Sequence, residues 1–537
     1  MNTNYSENKF FTSIIHFFSG TMISRIFGLL REILMAVIWG AEPLIAVFWI
    51  AFRLIFFLRR IFGETALSMV FIPHFEMLRV KGNGIAKVFF KKTVKFFTIS
   101  SICVLLAIEL FCFFWMKLSH NKDHSALVLI MFLSPSSVFL VLHALNVSLL
   151  HCERKFFLAS LSPAIVNFFW VVLLFFSSRF SCYLFLKWLS IFLVLGFFFQ
   201  WLITVPDTLS FLKNQKYLEN NNFYDEKQTS CWHVLKPMLF AILGTAITQV
   251  NSLVDMFIAR FIDPIGPSFL WYANRIYQLP MGVIVISFFS VLLPLLSKSI
   301  KENDENSTKN IFIFSFSTIF LLMTVIMLAM ILLSFSGINL VYGHGLFSLN
   351  AVKSTVFVLW GYAFGLIPSA INSITSVLFY AKKEYFIPTI LGIVSIILNC
   401  CLSFLLTTFF SSKIFGISLA TSICSWTQCM LLWLFASREH VFLRGLFTSV
   451  FFKLRKDFFV SLITFLFSYF LSKFLLHKTL FFFFTSSILK KAFYFGFEAS
   501  IFLVFLWLFA KIFGSEELRN CFSMSFWKNR YYSSDLK

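Results

Sequence analysis

Charge is scarce in this chain. Of its 537 residues only 13% are Asp, Glu, Lys or Arg and 59% are hydrophobic, with a mean hydropathy of +0.85. Soluble domains sit near half apolar and about a quarter charged, so a soluble globular protein is excluded. The ten cysteines form no CxxC pair and no Cys/His spacing suited to zinc. A disulfide framework and a structural zinc site are therefore not expected, and most cysteines fall in apolar runs as small hydrophobes. Chemistry-bearing motifs are missing too. There is no GxxxxGK[ST] loop for a nucleotide, no HExxH and no glycine-flanked nucleophile elbow; YGHGLF (342–347) reads as an external turn. A transporter driven by a gradient is expected rather than an enzyme. The N-terminal MNTNYSENK leads into an apolar run that carries Arg25 and no small-residue cleavage site, so the first run is expected to be a retained helix.

Apolar runs of the ~20 residues that a bilayer requires recur along the whole length, separated by short lysine-rich breaks. Helices rather than a barrel explain that pattern. The expectation is an all-α polytopic membrane protein with about 14 spans, near 10–40, 44–77, 93–116, 126–151, 156–178, 181–205, 232–260, 266–297, 310–336, 353–381, 385–410, 414–437, 457–476 and 492–514. The longest polar connection follows span six, which divides the chain into a six-helix lobe (1–205), a cytoplasmic linker (206–231), a second six-helix lobe (232–437), two last helices (438–514) and a cytoplasmic tail (515–537).

Short internal matches support two related halves. GTMIS (20–24) matches GTAIT (244–248), which sets Arg31 opposite Asp255; FWIAFRL (48–54) matches LWYANRI (270–276), which sets Arg53 opposite Arg275. SPSS (134–137) before HCERKFF resembles IPSA (367–370) before AKKEYF. Six helices per half give both halves the same orientation, with any substrate site between them.

The net charge of +21 comes from 45 Lys and Arg against 24 Asp and Glu. With the N-terminus inside, roughly 28 cations fall on the cytoplasmic side and roughly 11 on the other, so both termini are expected to be cytoplasmic and most cations are topological. Nucleic acid is not an expected partner. What remains is Arg25, Arg31, Arg53, Arg59, Arg60 and Arg275, without a lysine. An arginine at mid-bilayer costs roughly 2.5 to 3.5 kcal/mol, so these must meet water, a counter-charge or a ligand. Snorkelling at a helix end is the competing account for Arg59 and Arg60. Glu32 and Glu64 are candidate partners, seven residues after Arg25 and four after Arg60, and Gly28 is a candidate bend. Two acids do not neutralise six arginines. A surplus of planar, permanently charged forks suits phosphate or carboxylate, so an anionic, phosphorylated substrate is expected.

TMISRIFGLLREI, AFRLIFFLRRIFGETALSMVFIP and WYANRIYQLPMGVI with LLPLLSKS, on a plan of 12 plus 2 helices, resemble the MurJ (MviN) family of lipid II flippases in the MOP exporter superfamily. The resemblance runs from about residue 18 to 437 and is strongest in the first two spans and span eight. It implies a V-shaped, two-lobed inner-membrane protein that turns lipid-linked disaccharide-pentapeptide across the membrane for peptidoglycan synthesis, cell-wall biogenesis and cell shape. By motif position Arg25, Arg31, Arg59 and Arg275 match arginines of the family's central cavity, and Ser24, Glu32 and Ser268 match polar positions beside them. Arg53 stands where a relative has Lys, and Glu64 matches the acid of the LRRIFxE segment. The last two helices would form a groove for the lipid tail. Asp255 matches a sodium-ligand position in one branch of the family, with Ser395, Asn399 and Thr421 as neighbouring oxygens. Sodium or the membrane potential is the implied driving force, no other cofactor is expected, and cell-wall synthesis proteins join membrane lipids as implied partners. Ala46 and Asn274 replace acidic positions of relatives, which makes the implied cavity more positive.

Three other functions remain open on the residues. A flippase for another polyprenyl-diphosphate oligosaccharide would use the same arginines, although the motifs of the first two spans favour lipid II. A multidrug exporter of the same fold calls for intramembrane carboxylates in excess of arginines. A non-transporting cell-wall scaffold would not need the arginines.

Overall fold

The computed structural model describes residues 3–62, 66–119, 123–153, 155–213, 249–382, 384–439, 441–476, 487–515 and 518. All regular structure among them is helical. Eleven helical segments among the described residues are long and apolar enough to cross a membrane. The sequence expects about 14; the spans at 10–40, 44–77 and 232–260 are those not among the eleven, and residues 214–248 lie outside the described ones.

The chain divides into two compact units, Met1–Leu253 and Val254–Lys537. In the first, α1 (Thr3–Trp39) and α2 (Pro43–Phe62) are followed by α3 (Ala66–Lys81), so the residues expected as one span at 44–77 are shared between α2 and α3. Then come α4 (Asn83–Leu118), α5 (Ser125–Leu133), α6 (Ser136–Cys152), α7 (Phe156–Leu161), α8 (Pro163–Phe175), α9 (Cys182–Leu202) and α10 (Val205–Lys213). A helix at 249–262, α11, leads into the second unit. There follow α12 (Gly266–Pro280), α13 (Ile286–Lys301), α14 (Glu305–Leu332), α15 (Ser334–Val341), α16 (Leu349–Ala363), α17 (Leu366–Ala381), α18 (Phe386–Phe409) and α19 (Lys413–Glu439), and then α20 (Leu446–Leu476) and α21 (Ile488–Ile512). Phe71, Phe75, Phe89 and Leu145 centre a core in the first unit, and Phe312, Phe316, Ile371 and Leu432 one in the second. Phe502 and Leu506 of α21 and Val460 of α20 pack with Leu321 of α14, which joins the last two helices to the rest of the second unit.

Several spans are two helices set end to end, and proline explains where they break. A proline leaves the carbonyl four residues earlier without its donor. At α5/α6 Pro135 frees the Met131 carbonyl, which accepts from Ser134 Oγ at 3.0 Å; at α7/α8 Pro163 frees that of Ala159, which accepts from Ser162 Oγ at 3.0 Å. At α16/α17 Pro368 frees the Phe364 carbonyl, and the Trp426 indole donates to it at 3.1 Å. Each break therefore keeps its hydrogen bond within the protein, as an apolar surrounding demands. Pro280 similarly ends the regular part of α12 and is followed by a π-turn at Met281–Val285.

Small residues allow close helix approach. Gly361 near the end of α16 and Gly365 in the α16/α17 break pack against Ser418 and Ser422 of α19; a Cβ on Gly361 would lie 2.0 Å from Ser418 Oγ, and one on Gly365 2.6 Å from Ser422 Oγ. Ser422 Oγ donates to the Gly361 carbonyl at 2.5 Å. Close approach at small residues replaces the hydrophobic force that is weak between helices in lipid.

Candidate functional site

In the first unit the arginine expected at 31 is locked in the interior. Its Nη1 donates to Asn167 Oδ1 of α8 at 2.8 Å and its Nη2 to Glu32 Oε1 at 2.7 Å. The guanidinium lies 4.3 Å from the centre of the Trp170 ring and 5.8 Å from that of Phe52 on α2. Arg31, Glu32 and Asn167 are all buried, and Trp170 is fully so. A charge in such a place persists only when paired and hydrogen-bonded, and the ring faces add cation–π attraction. Asn167 Nδ2 in turn donates to the Ser24 carbonyl at 3.2 Å, so one amide ties two turns of α1 to α8. α1 runs as a continuous helix through Gly28, and the Asn167 amide lies 3.5 Å from where a Cβ there would stand.

The spacing argument offered Glu32 to Arg25; the structure gives it to Arg31. Arg25 is exposed on α1 and Ser24 is half-buried. Arg53 is half-buried on α2, where Arg59 and Arg60 also lie, with side chains outside the described ones, and Glu64 falls outside the described residues altogether. In the second unit Arg275 is half-buried, its guanidinium 4.5 Å from the centre of the Trp271 ring. Ser268, at the start of the same helix, is fully buried with no hydrogen-bond partner for its hydroxyl among the described residues.

The residues expected to hold an ion are partly assembled. Asp255 on α11 is buried, accepting from Asn399 Nδ2 of α18 at 2.6 Å and from Thr421 Oγ1 of α19 at 3.1 Å. Asn399 is fully buried, and its Oδ1 has no hydrogen-bond partner among the described residues. Ser395 lies one turn before Asn399 on α18, half-buried, and is not one of the two donors above.

Asn167, Trp170 and Trp271 were not singled out in the sequence. The signal was present for Asn167, a lone amide in the apolar run PAIVNFFWVV. An unpaired amide in an apolar span also carries a cost, though a smaller one than the charges that were noticed. The two tryptophans carry no comparable signal, because aromatic residues fill every span of this chain.

Solved structures of the MOP superfamily share this all-helical fold, in which polar groups are held inside apolar helices. An inward-facing multidrug resistance MATE family transporter of that superfamily matches with a TM-score of 0.58 at 14% identity, covering 80% of this chain and 99% of that one. A structure of the lipid II flippase MurJ in an inward closed conformation matches with a TM-score of 0.70 at 24% identity, covering 93% of this chain and 99% of that one.

The family model described as lipid II flippase MurJ matches residues 35–493, and the chain belongs to that family. Relatives named as probable lipid II flippase MurJ include one from Chlamydia pneumoniae, 35% identical over 99% of this chain and 97% of its own length. Another, from Chlamydia muridarum, is 33% identical over 97% of this chain and 98% of its own length. One from Rickettsia prowazekii is 30% identical over 78% of this chain.

Proposed function

We propose that the protein carries lipid II from the cytoplasmic to the periplasmic face of the inner membrane by alternating access, with both termini in the cytoplasm. Arg25 and Arg275, joined by Arg53 and Arg59, grip the diphosphate of the substrate, and Ser24 and Glu64 supply polar surroundings; Ser268, being fully buried, does not line that site. Arg31 acts through Glu32 and Asn167 by fixing the turn of α1 that presents Arg25. The observation that carries this reading is the contrast on one helix: Arg31 is buried among partners while Arg25, six residues earlier, is exposed on an apolar span. A guanidinium left so costs roughly 2.5 to 3.5 kcal/mol in lipid and is stabilised by a bidentate anion. No bond in the substrate is made or broken by such a cycle.

Resetting is driven by sodium or by the membrane potential. Asp255, Asn399 and Thr421, with Ser395 nearby, would hold the sodium ion, and the unpartnered buried Asn399 Oδ1 is an oxygen suited to it. Bound there, the cation would neutralise the Asp255 carboxylate. The last two helices, rich in phenylalanine, accommodate the lipid tail.

Depletion of the protein with complementation, followed by measuring which leaflet holds lipid II, tests the reading. Accumulation on the cytoplasmic face, reversed by the intact gene and not by an Arg25→Ala, Arg275→Ala double variant of normal abundance, is expected. An unchanged leaflet distribution on depletion overturns it.

A further inference from the structure

At one end of the second unit three helices begin close together: α12 at Gly266, α16 at Leu349 and α19 at Lys413. Between them and the bend at 411–412 lies a cavity of about 660 Å³, lined among others by Asp263, Asn350, Lys353, Ser354, Ser412 and Lys413. Its volume is that of a site for a headgroup-sized ligand. Lys353 and Lys413 make no ion pair among the described residues, and the hydroxyls of Ser354 and Ser412 make no hydrogen bond to the protein there. Asp263, the one carboxylate among the described residues of the lining, is occupied in part by the backbone N–H of Ile265, which donates to it at 2.9 Å. The lining thus carries two cations against one acid, with hydroxyl donors beside them, and the helix starts add to the positive potential.

We propose that this cavity binds the phosphate of an anionic phospholipid headgroup. Lys353 and Lys413 supply the charge, and Ser354 and Ser412 donate hydrogen bonds to phosphate oxygens. A lipid is favoured over a free anion because the cavity has an apolar flank. Phe357 lines it with 43% of its surface exposed, and Phe409 and Phe410, immediately before the bend, are 73% and 36% exposed. An acyl chain would lie along these rings while the headgroup sits above. The site is independent of the transport reading; with both termini in the cytoplasm it would face the periplasmic leaflet, and that placement alone rests on the orientation proposed above.

The test uses the full-length protein in nanodiscs of phosphatidylcholine, with or without phosphatidylglycerol. Acetylation rates of individual lysines by a water-soluble ester are read by mass spectrometry. Lys117 and Lys473, exposed on other elements, are the references. Phosphatidylglycerol is expected to slow Lys353 and Lys413 about threefold relative to the references, the effect of a site about two-thirds occupied. The variant Lys353→Gln should abolish the protection of Lys413, since one ligand bridges both. Equal protection by inorganic phosphate in phosphatidylcholine discs supports the same anion site supplied from solution. Uniform slowing of all four lysines, no slowing, or a Lys413 protection indifferent to Lys353→Gln overturns the proposal.

Discussion

Asn399 donates to Asp255 at 2.6 Å in the second unit, and in the first Arg31 donates to Asn167 at 2.8 Å. Arg31 and Asp255 stand opposite one another in the sequence match of the halves, and each asparagine lies on the fifth expected span of its half. The same structural element, a charged residue on the first helix clamped by an amide on the fifth, has thus been built twice with opposite charge. An amide suits both because it offers a donor and an acceptor. One half thereby holds a buried guanidinium and the other a buried carboxylate.

Asn167→Leu should loosen this clamp. A hydrogen bond to a charged group is typically worth about 1.5 to 3 kcal/mol, and the variant also leaves Arg31 a buried charge with one partner fewer. A lower melting temperature in detergent is expected, together with slower transport through displacement of α1. Arg31→Lys should show a similar defect, because a lysine has no planar fork to reach Asn167 and Glu32 at once.

Arg25→Ala and Arg275→Ala should leave the melting temperature near the parent value and weaken substrate binding by roughly one to two orders of magnitude, the loss of a charged hydrogen bond. Arg→Lys at either position should be milder yet incomplete. Complementation of growth and a lipid II translocation assay check this, and well-expressed alanine variants that transport normally would show the two arginines to be dispensable.

At the second clamp, Asp255→Asn and Asn399→Ala should abolish any dependence of transport on external sodium. Transport measured against a sodium gradient at fixed membrane potential gives the answer. Dependence retained in both variants places the coupling elsewhere.

Gly361→Ala tests the helix crossing. Its new Cβ would meet Ser418 Oγ at 2.0 Å and also the Leu419 backbone nitrogen at 3.0 Å, an overpacking of the kind that costs about 1 to 3 kcal/mol. Adding Ser418→Ala should restore only part of the thermal stability, because the backbone contact remains.

Outside the membrane, Asp304 caps α14 by accepting from the Ser307 N–H at 2.9 Å and its hydroxyl at 2.5 Å, which holds the carboxyl below its ordinary value of 3.8. A depressed folded value means that the contribution is complete above the unfolded value and disappears as pH falls through the folded one. Hydrogen exchange at the start of α14 should therefore be slower in the parent than in Asp304→Ala at pH 7, with the difference vanishing in strong acid.

The orientation is open to a simple labelling experiment. In a cysteine-free background, Leu346→Cys should react with an impermeant thiol reagent in intact cells and Asn220→Cys should not; residue 220 lies outside the described ones. Reaction at 220 alone would invert the topology.

The apolar composition of most spans and the presence of the arginines of interest were legible in the sequence, whereas the residues expected as one span at 44–77 are shared between two helices. Hydropathy depends on local composition, and a charge inside an apolar run is conspicuous wherever the chain goes. The breaks after α5 and α16 were not read from SPSS and IPSA, which served only as a repeat, although proline acts on its own helix. What tertiary structure alone decided is which arginine is occupied. Arg25 and Arg31 look alike in MISRIFGLLRE, and spacing along α1 paired Glu32 with the wrong one. The decision came from α8, 136 residues away, where Asn167 and Trp170 meet one face of α1. Helix periodicity fixes which residues share a face, but the partner that the face meets is set by packing between distant segments, and that is not written in any local stretch of the chain.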